Sequence, residues 1–483
     1  MHQVAAPARP RRNTELLLLL LGLGIGVGAN LLGAIGMDRE ITTEYWVQGA
    51  VLAIMALLFH LVLRLKARYA DPYILPIVVT LNGLGIAMIH RIDVAEGDSA
   101  ASRQLVWTVV AMGSAIVLLW LLKDHRILRR WPYLFLAISG LLLLLPLVPG
   151  LGMEINGARI WINLGVGSFQ PGEVAKVTLA IFFAGYLSAN RDLILLAGKR
   201  LGPITFPRFR DMGPLVVAWL ISMGVLVFQR DLGSAILFFG LFMAMIYLAT
   251  SRTSWILLGL GMVAVGGVIA VNTISHVGLR VDAWLNAFDP DVYNRAAGSY
   301  QIVQGLFGLA SGGLLGTGLG GGRPDIVAYA NSDMIIASFG EELGFIGLAA
   351  IIMLFVLLVT RMMRAALGTR DTFGKLLAAG LAFTMALQCF VVIGGVTMVI
   401  PLTGLTTPFM AAGGSSLLAN WLVVALVLMV SQSARRPVAV GPMVNASGAG
   451  SGHQDPATGP GIPGTGTPGT GTPVITAPGG RTA

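Results

Sequence analysis

The sequence predicts an all-α integral membrane protein, a polytopic helical bundle of about twelve transmembrane helices with one large extracellular loop. Of its 483 residues, 55% are hydrophobic and only 11% are charged, and the mean hydropathy is +0.79. A soluble chain could not bury so much apolar surface. The apolar residues also form continuous runs of roughly the 20 residues that a helical span needs. Because these runs lack the alternation typical of barrel strands, helices are favoured over a barrel.

The chain contains twelve candidate spans, and an even number of crossings places both termini on the same side of the membrane. The sixth span is the shortest and carries Glu173 and Lys176 at its start. The spans are predicted at residues 15–36, 46–66, 73–90, 103–122, 132–150, 174–190, 213–229, 232–250, 253–273, 335–359, 376–398 and 415–434.

Basic residues in the loops predict the orientation. If the N-terminus is cytoplasmic and the spans alternate, the cytoplasmic segments hold 23 of the 32 Lys and Arg residues. Because cytoplasmic loops are enriched in these residues, both termini are expected in the cytoplasm. The long polar segment 275–334 is then expected outside. The predicted localisation is a multi-pass protein of the cytoplasmic membrane.

Composition divides the chain into three parts. Residues 1–14 are expected to form a cytoplasmic N-terminal segment, and residues 15–436 one membrane domain. After Arg436 the sequence changes to Gly, Pro and Thr, with GTGTPGTGTP at 464–473. This composition offers too little apolar surface to offset the entropy lost on ordering. Residues 437–483 are therefore expected to be a disordered cytoplasmic tail.

The charge and cysteine content exclude two classes of function. A net charge of +9 could suggest nucleic acid, but the basic residues are spread over loops next to the membrane. There they set topology and contact anionic membrane lipid, so no nucleic-acid partner is expected. The single cysteine, Cys389, lies in an apolar span. One chain can therefore form neither a disulfide framework nor a thiolate metal site.

Ionisable residues at the start of the sixth span indicate a polar pocket. Glu173 and Lys176 are three residues apart and share a face if the segment is helical. Such residues at membrane depth are costly and usually line a cavity, although a local ion pair that starts the helix is the alternative. Arg159 and Gln170, in the preceding loop, are candidates to complete the pocket wall.

Further polar residues lie at the ends of other spans. In VFQRDLGSA, Arg230 and Asp231 form either a tight outer turn with a local ion pair or a charged pocket floor. Asp333 precedes the tenth span, which also carries Glu341 and Glu342 near its start. The helix dipole explains one acidic residue at this position, but not three.

Two segments are rich in residues that break helices. Ser415 and Ser416 follow a Pro- and Gly-containing stretch at 401–414. Irregular backbone at this depth must be buried in protein or line a wet cavity, although helix breaking alone is the alternative account. The Gly-rich stretch 308–322 is expected to let the backbone approach a ligand closely.

Asp289 is the leading candidate for a catalytic base. It lies in AFDPDVY, beside the apolar residues Trp284, Leu285 and Phe288. A carboxylate partly desolvated by such neighbours gains a raised pKa suited to proton abstraction. A plain Asp-Pro turn explains the same residues equally well.

Several long motifs, occurring in order, resemble the SEDS family (shape, elongation, division and sporulation). They are GARIWINLGVGSFQPGEVAKV, QRDLGSA, GSYQIVQGLFGLASGGLLGTGLG, NSDMIIASFGEELGFIG and GGVTMVIPLTGLTTPFMAAGGSSLLANW. The resemblance covers roughly residues 100–435. Both the RodA-like elongation branch and the FtsW-like division branch are candidates. The sequences GLFGLASGGL and GLTTPFMAAGGSS resemble the actinobacterial RodA-like form more closely. The two additional N-terminal spans also resemble that form.

The resemblance implies a peptidoglycan glycosyltransferase of the bacterial cytoplasmic membrane that builds cell wall during elongation. Such enzymes polymerise lipid II, which serves as donor and acceptor, at the outer membrane face with inversion at the anomeric carbon. A class B penicillin-binding protein transpeptidase is the implied partner. No cofactor is firmly implied, and a divalent cation (Mg or Mn) is a candidate.

The family's outer-loop carboxylate maps to Asp289, with Asp291 as the fallback if the register slips by two. One departure is that Ala287 stands where the family loop usually has proline. The resemblance also carries over to Glu173 and Lys176, in the QPGEVAK segment, and to Asp333. The further residues predicted to bind the substrate are Arg159, Gln170, Arg230, Asp231, Gln301, Ser415 and Ser416.

Two other functions compete with glycosyl transfer. A lipid II flippase would need charge along a continuous path through the membrane, whereas the charges within the spans gather toward the outer side. A non-catalytic scaffold for the transpeptidase is the second alternative, and it is compatible with catalysis. Absent inverted repeats argue against a generic transporter.

Overall fold

The computed structural model describes residues 10–437, except 156, 164, 166–167, 197, 202–203, 208–212, 214–215, 218, 221–222, 225–226 and 296–297. Within these residues the predicted helical membrane fold is confirmed, since ten helices are long and apolar enough to cross a membrane. Residues 1–9 of the predicted N-terminal segment and 438–483 of the predicted tail lie outside the described residues.

Helices account for most of the described chain, and seven come before and seven after residue 252. They are α1 (Arg12–Gly36), α2 (Thr43–Lys66), α3 (Ile74–Glu96), α4 (Ala100–Leu121), α5 (Pro132–Leu144), α6 (Pro171–Leu196), α7 (Leu232–Thr250), α8 (Ser254–Thr273), α9 (Ser275–Leu285), α10 (Pro290–Asn294), α11 (Tyr300–Gly312), α12 (Ile335–Gly368), α13 (Thr372–Val396) and α14 (Gly414–Arg435). Short 3₁₀ helices lie at His125–Arg130, Leu145–Leu147 and Pro324–Ile326.

Two small antiparallel sheets complete the described elements. Strands β1 (Gly152–Ile155), β2 (Ala158–Asn163) and β3 (Ser168–Phe169) form the first, and Met153 pairs with Trp161 in its register. Strands β4 (Gly198–Leu201) and β5 (Ile204–Pro207) form the second. The sequence predicted only loops here, because strands this short carry too few residues to show alternation.

Several of the predicted spans differ from the structure in where they end. The third was predicted to end at residue 90, but α3 continues to Glu96, with His90, Arg91 and Asp93 all buried. Helix α5 and the following 3₁₀ turn are apolar but end at Leu147, short of a full span. Seven residues of the seventh span, 213–229, lie outside the described residues.

The centre of the bundle is formed by α3, α13 and α14, whose spans are buried over most of their length. Helix α1 approaches α3 closely, because Gly26 lies against Gly83 with no side chain between them. Small residues allow such close helix contact in membranes. Helix α8 is the opposite case, since Gly259 is its only buried residue.

Contacts define the two ends of the bundle. The loop end carries segment 275–334 together with segment 397–413, which joins α13 to α14. At the opposite end, Asp71 lies 3.2 Å from Arg435, and His125 lies 3.1 Å from Asp371. The alternation of the helices predicted from the apolar runs thus agrees with the contacts at both ends.

A buried charged cluster near the opposite end was not predicted. Arg12 pairs with Glu15 and donates to the carbonyl of Ala70, and His60 Nδ1 lies 2.7 Å from Glu15 Oε1. These charged residues depart from the expectation that the charges within the spans gather toward the outer side. These groups satisfy one another inside the protein, which is how ionisable residues are tolerated at membrane depth.

The Gly-rich segment packs closely against α12. Gly344 interrupts α12 with φ 67°, and the freed Phe345 N–H donates to the Gly313 carbonyl at 2.9 Å. Thr317 N–H donates to the Glu341 carbonyl at 3.0 Å. A Cβ at Gly316 would overlap the backbone of residue 342. The close backbone approach predicted from these glycines occurs, but its partner is α12.

Candidate active site

Glu173 and Lys176 form a buried ion pair on the first turns of α6. Lys176 Nζ lies 2.7 Å from Glu173 Oε2 and donates a second hydrogen bond, of 2.8 Å, to Gln388 Oε1 on α13. Both side chains of the ion pair are only 5% exposed. Gln388 donates in turn to the Thr406 carbonyl at 2.9 Å. The pair therefore links two helices and segment 397–413, which a purely local helix-start pair would not do.

Asp231 lies beside this region at the start of α7. Its Oδ1 accepts a 2.9 Å hydrogen bond from Ser234 N–H, so it caps the helix. Gln170 Nε2 lies 3.5 Å from Asp231 Oδ2, and Gln170 N–H donates to Ser415 Oγ at 2.7 Å. Burial raises the pKa of Asp231. Gln170, Asp231 and Ser415, predicted from three separate motifs, thus lie together.

The local Arg230–Asp231 pair, one of the two alternatives for this turn, is not formed among the described residues. Arg230 is exposed and adopts φ 59°, which directs the chain into the turn. Asp231 faces inward and Arg230 faces away, so the two charges separate.

Arg280 on α9 supplies a cation between two carboxylates. Asp231 and Asp333 both interact electrostatically with the guanidinium, while burial lowers its pKa. Its Nη1 donates to the Thr403 carbonyl at 2.8 Å. One helix therefore connects the folded segment 275–334 with segment 397–413 and with the acidic residues.

Segment 397–413 is irregular, and side chains from other elements hold its backbone. Trp284 Nε1 donates to the Met398 carbonyl at 2.8 Å. Gln104 on α4 donates to the Ala411 carbonyl at 2.9 Å and accepts from Gly413 N–H at 3.1 Å. Buried backbone that lies outside helices needs such partners. The predicted irregular backbone is thus fixed in place by polar contacts.

Asp333 is enclosed by protein immediately before α12. Its Oδ2 accepts a 3.2 Å hydrogen bond from Gln301 Nε2 on α11. Burial raises the pKa of Asp333 to about 6, and the hydrogen bond from Gln301 opposes this shift. A carboxyl that titrates near neutral pH at a site with Arg280 is suited to proton or charge control.

We expect Asp333→Asn to stabilise the folded protein at high pH and to change it little at low pH. The folded carboxyl retains a proton to about pH 6, whereas in the unfolded chain it ionises near its ordinary pKa of 3.8. Stability therefore falls as pH rises through this window, by up to about 3 kcal/mol.

Thermal unfolding in detergent at about pH 4.5 and about pH 8 measures the effect. The thermal unfolding midpoint of the variant should exceed that of the wild type only at the higher pH. Asp291→Asn, which alters an exposed carboxylate of the same segment, is the control. If the midpoints of Asp333→Asn and the wild type differ by the same amount at both pH values, the raised pKa of Asp333 is contradicted.

Asp289 and Asp291 lie at the start of α10, and both are exposed. Asp289 Oδ1 accepts a 2.9 Å hydrogen bond from Asp291 N–H, as in a capped Asp-Pro turn. Leu285 and Phe288 are also exposed, so they do not desolvate the carboxylate in the way that the sequence suggested. The structure records no direct bond from either aspartate to the buried polar groups of α6 and α7.

Two predicted residues lie apart from the buried polar groups. Arg159 is exposed on β2 and pairs with Glu154 at 2.9 Å across the hairpin. Ser416 is buried and accepts a 3.2 Å hydrogen bond from Asn420 of its own helix. In the described part of the chain, no side-chain hydrogen bond or ion pair joins either residue to the other predicted site residues.

The sequence missed several residues that organise the site. Arg91 lies 2.6 Å from Glu342 in a buried ion pair, and Gln104 and Gln388 hold segment 397–413. Each is a polar residue within or beside an apolar run. That signal was available, but their partners lie far away in the chain.

These observations define a multi-pass helical membrane protein with a buried polar site at one end, under a folded segment. Residues 72–436 match the FtsW/RodA/SpoVE family, described as "Cell cycle protein". The chain belongs to this family, which confirms the resemblance predicted from its motifs.

Known proteins resemble the chain over most of its length. It is 46% identical to the peptidoglycan glycosyltransferase RodA of Mycobacterium tuberculosis over 448 residues, 91% of this chain and 94% of that protein. A solved chain described under "Structural coordination of polymerization and crosslinking by a peptidoglycan synthase complex" is 27% identical, with TM-score 0.60, and covers 76% of this chain and 98% of its own. An aspartate-to-alanine mutant of the Thermus thermophilus rod shape determining protein RodA is 27% identical, with TM-score 0.53, covering 75% and 97%.

Proposed function

We propose that this chain is a peptidoglycan glycosyltransferase that polymerises lipid II during cell-wall elongation, at the outer face of the bacterial cytoplasmic membrane. The 46% identity to a RodA of that activity supports the proposal. The observation that carries it is the collection of Glu173, Lys176, Asp231, Arg280 and Asp333 at the loop end. Cations and carboxylates placed together beside apolar helices suit a substrate with a charged head and a lipid tail.

In this proposal Asp289 is the general base. It accepts the proton of the acceptor sugar's 4-hydroxyl while that oxygen attacks the donor's anomeric carbon. The bond from this carbon to the diphosphate breaks, and undecaprenyl diphosphate leaves with inversion. Asp289 Oδ1 is engaged with Asp291 N–H, so Oδ2 is the oxygen open to the substrate.

The remaining site residues are assigned to substrate binding. Arg280 and Lys176 are cations that favour negative charge on the departing diphosphate. Gln170, Gln301 and Ser415 offer neutral hydrogen bonds to the sugars. Arg230 and Arg159 are exposed at the same end and would meet the substrate's outer parts. Ser416 is assigned to supporting α14.

The lipid tail needs an apolar path from the bilayer to the site. Helix α8 is buried only at Gly259, and α9, which carries Arg280, follows it directly. An undecaprenyl chain cannot cross water, so a lateral route beside α8 is the arrangement that this geometry favours. A soluble acceptor would need no such route.

The described residues do not form a metal centre. They contain no group of three or more His, Cys, Asp and Glu side chains that could hold an ion. Mg²⁺ commonly binds through substrate phosphates and one or two carboxylates. A divalent cation (Mg or Mn) that arrives with the diphosphate stays a prediction.

We further propose a class B penicillin-binding protein transpeptidase as the partner. The solved chain with TM-score 0.60 comes from work on a peptidoglycan synthase complex that coordinates polymerization and crosslinking. A scaffold role toward such a partner is compatible with catalysis by this chain.

Purified protein incubated with lipid II, with and without a co-purified transpeptidase, tests the proposed function. Glycan polymer on a gel is the expected product, and its absence in both reactions would contradict the proposal. Transfer of fluorescent lipid II across sealed vesicles without polymer would favour the flippase. The buried charges near the two ends disfavour it, because they pair within the protein instead of lining a path.

We propose that both termini are cytoplasmic, so the loop end faces outward. Single cysteines at Asn286 and Thr253, both exposed and on opposite ends, test this in a Cys389→Ala background. An impermeant thiol reagent added to intact cells should label position 286 and spare position 253. The reverse pattern would invert the topology.

A further inference from the structure

Helix α1 contacts the folded segment 275–334 directly, although α1 precedes the residues that match the family. A Cβ at Gly36, the last residue of α1, would overlap the carbonyl oxygen of Leu319. A Cβ at Gly320 would overlap the Gly33 carbonyl. The backbones of α1 and of residues 319–320 are therefore in contact without any intervening side chain.

The same stretch is held from its other side by α3 and α12. Gly320 N–H donates to Glu342 Oε2 at 3.0 Å. Arg91 Nε lies 2.6 Å from Glu342 Oε1, and Arg91 Nη2 donates to the Gly322 carbonyl at 2.6 Å. Residues 319–322 thus lie between the end of α1 and a buried ion pair. A movement of α1 would have to move this stretch.

Helix α1 is itself held rigidly. Gly26 packs directly on Gly83 of α3, and at the opposite end Arg12 donates to the carbonyls of Arg68 and Ala70. Close helix contact through small residues leaves no side chain to absorb a shift. Helices α1 and α3 therefore act as one body on residues 319–322.

The contact leads to the polar site through a short path. Residues 319–322 continue into the 3₁₀ turn Pro324–Ile326, and Tyr300 Oη donates to the Ile326 carbonyl at 3.3 Å. Tyr300 begins α11, and the next residue, Gln301, donates to Asp333. A displacement at Gly320 is thus passed to a carboxyl beside Arg280.

We propose that α1 is a positioning element for glycosyl transfer: its last turn holds residues 319–322 against Glu342 and so sets the placement of the outer-end site. The inference rests on the proposed function for its catalytic consequence. The contact itself is independent of that function. Helix α1 acts on the substrate through Gln301 and Asp333, both of which are assigned to it, so a displacement of α1 affects substrate binding as well as turnover.

Glycine-to-alanine exchange at two positions of α1 tests the inference. Gly36→Ala places a methyl group against the Leu319 carbonyl, whereas Gly24→Ala, its matched control, meets nothing within 4 Å. Alanine favours the helix over glycine at both positions, so helix propensity cannot cause a loss. We expect Gly36→Ala to lower kcat about 10- to 100-fold, as a small misplacement does, and to raise KM for lipid II, because Gln301 is assigned to the sugars. Gly24→Ala should retain wild-type kinetics.

Hydrogen exchange gives a readout that does not depend on activity. In Gly36→Ala, amides of residues 313–326 should exchange faster while the thermal unfolding midpoint stays near that of the wild type. Gly24→Ala should show wild-type exchange there. Unchanged exchange in Gly36→Ala, or faster exchange with unchanged kcat, would overturn the positioning role. If even the wild type makes no polymer, the proposed function fails, and exchange alone decides whether α1 holds the segment.

Discussion

Asp289→Asn is expected to reduce lipid II polymerisation by about 10²–10⁴-fold, the usual contribution of a general base. The exchange preserves the local structure, because asparagine caps a helix as well as aspartate does and can still accept the hydrogen bond from Asp291 N–H. Only the basicity of the side chain is lost. Membrane insertion and partner binding should survive. Gel analysis of glycan product from purified protein measures the effect.

Asp291→Asn is the matched control, since this carboxylate is equally exposed and two residues away. Its effect should be mild. If Asp291→Asn is inactive while Asp289→Asn is active, the general base is Asp291, which is the fallback assignment. Full activity in both variants would remove the general-base role from this segment.

Lys176→Met is expected to abolish polymerisation and to destabilise the protein by about 3–5 kcal/mol, the cost of leaving a buried charge without its partner. The unpaired group is Glu173, which is 5% exposed. Because the ion pair is buried, a single substitution in it should lower the stability of the protein as well as its activity. Thermal unfolding in detergent and the polymerisation assay measure the two effects separately.

The double variant Glu173→Gln/Lys176→Met separates structure from substrate binding. Removing both charges eliminates the uncompensated group, so stability should return to near the wild-type value. Activity should not return, because the cation assigned to the diphosphate is gone. Recovery of both stability and activity would show that the pair serves the fold alone.

The sequence predicts the spans well, because apolar length alone determines which segments enter the membrane. It predicts the ends of spans less well, as α3 shows. His90, Arg91 and Asp93 are polar, and yet they continue the helix in a buried position. Arg91 is stabilised there by Glu342, which lies 251 residues further along the chain. No local pattern carries that information.

The site shows the same limit. Residue types and motifs indicated Gln170, Glu173, Lys176, Asp231, Asp333 and Ser415, most of which the structure joins through hydrogen bonds. The partner of Lys176 on α13, Gln388, is 212 residues away, and so it could not be read from spacing. The sequence also failed to predict which side chains near the site are exposed. Arg159 pairs across a hairpin, and the apolar neighbours of Asp289 remain exposed, because the segment folds into helices that point them outward.

Helix α8 has a consequence for how this sequence can vary. With Gly259 as its only buried residue, the helix has almost no neighbour whose shape its side chains must match within the described part of the chain. Exchanges among leucine, valine, isoleucine and methionine would preserve its hydropathy and disturb no packing. The central helix α3, buried along nearly all its length, has no such freedom. Related sequences with this fold should therefore differ more in α8 than in α3, although both helices keep a similar hydropathy.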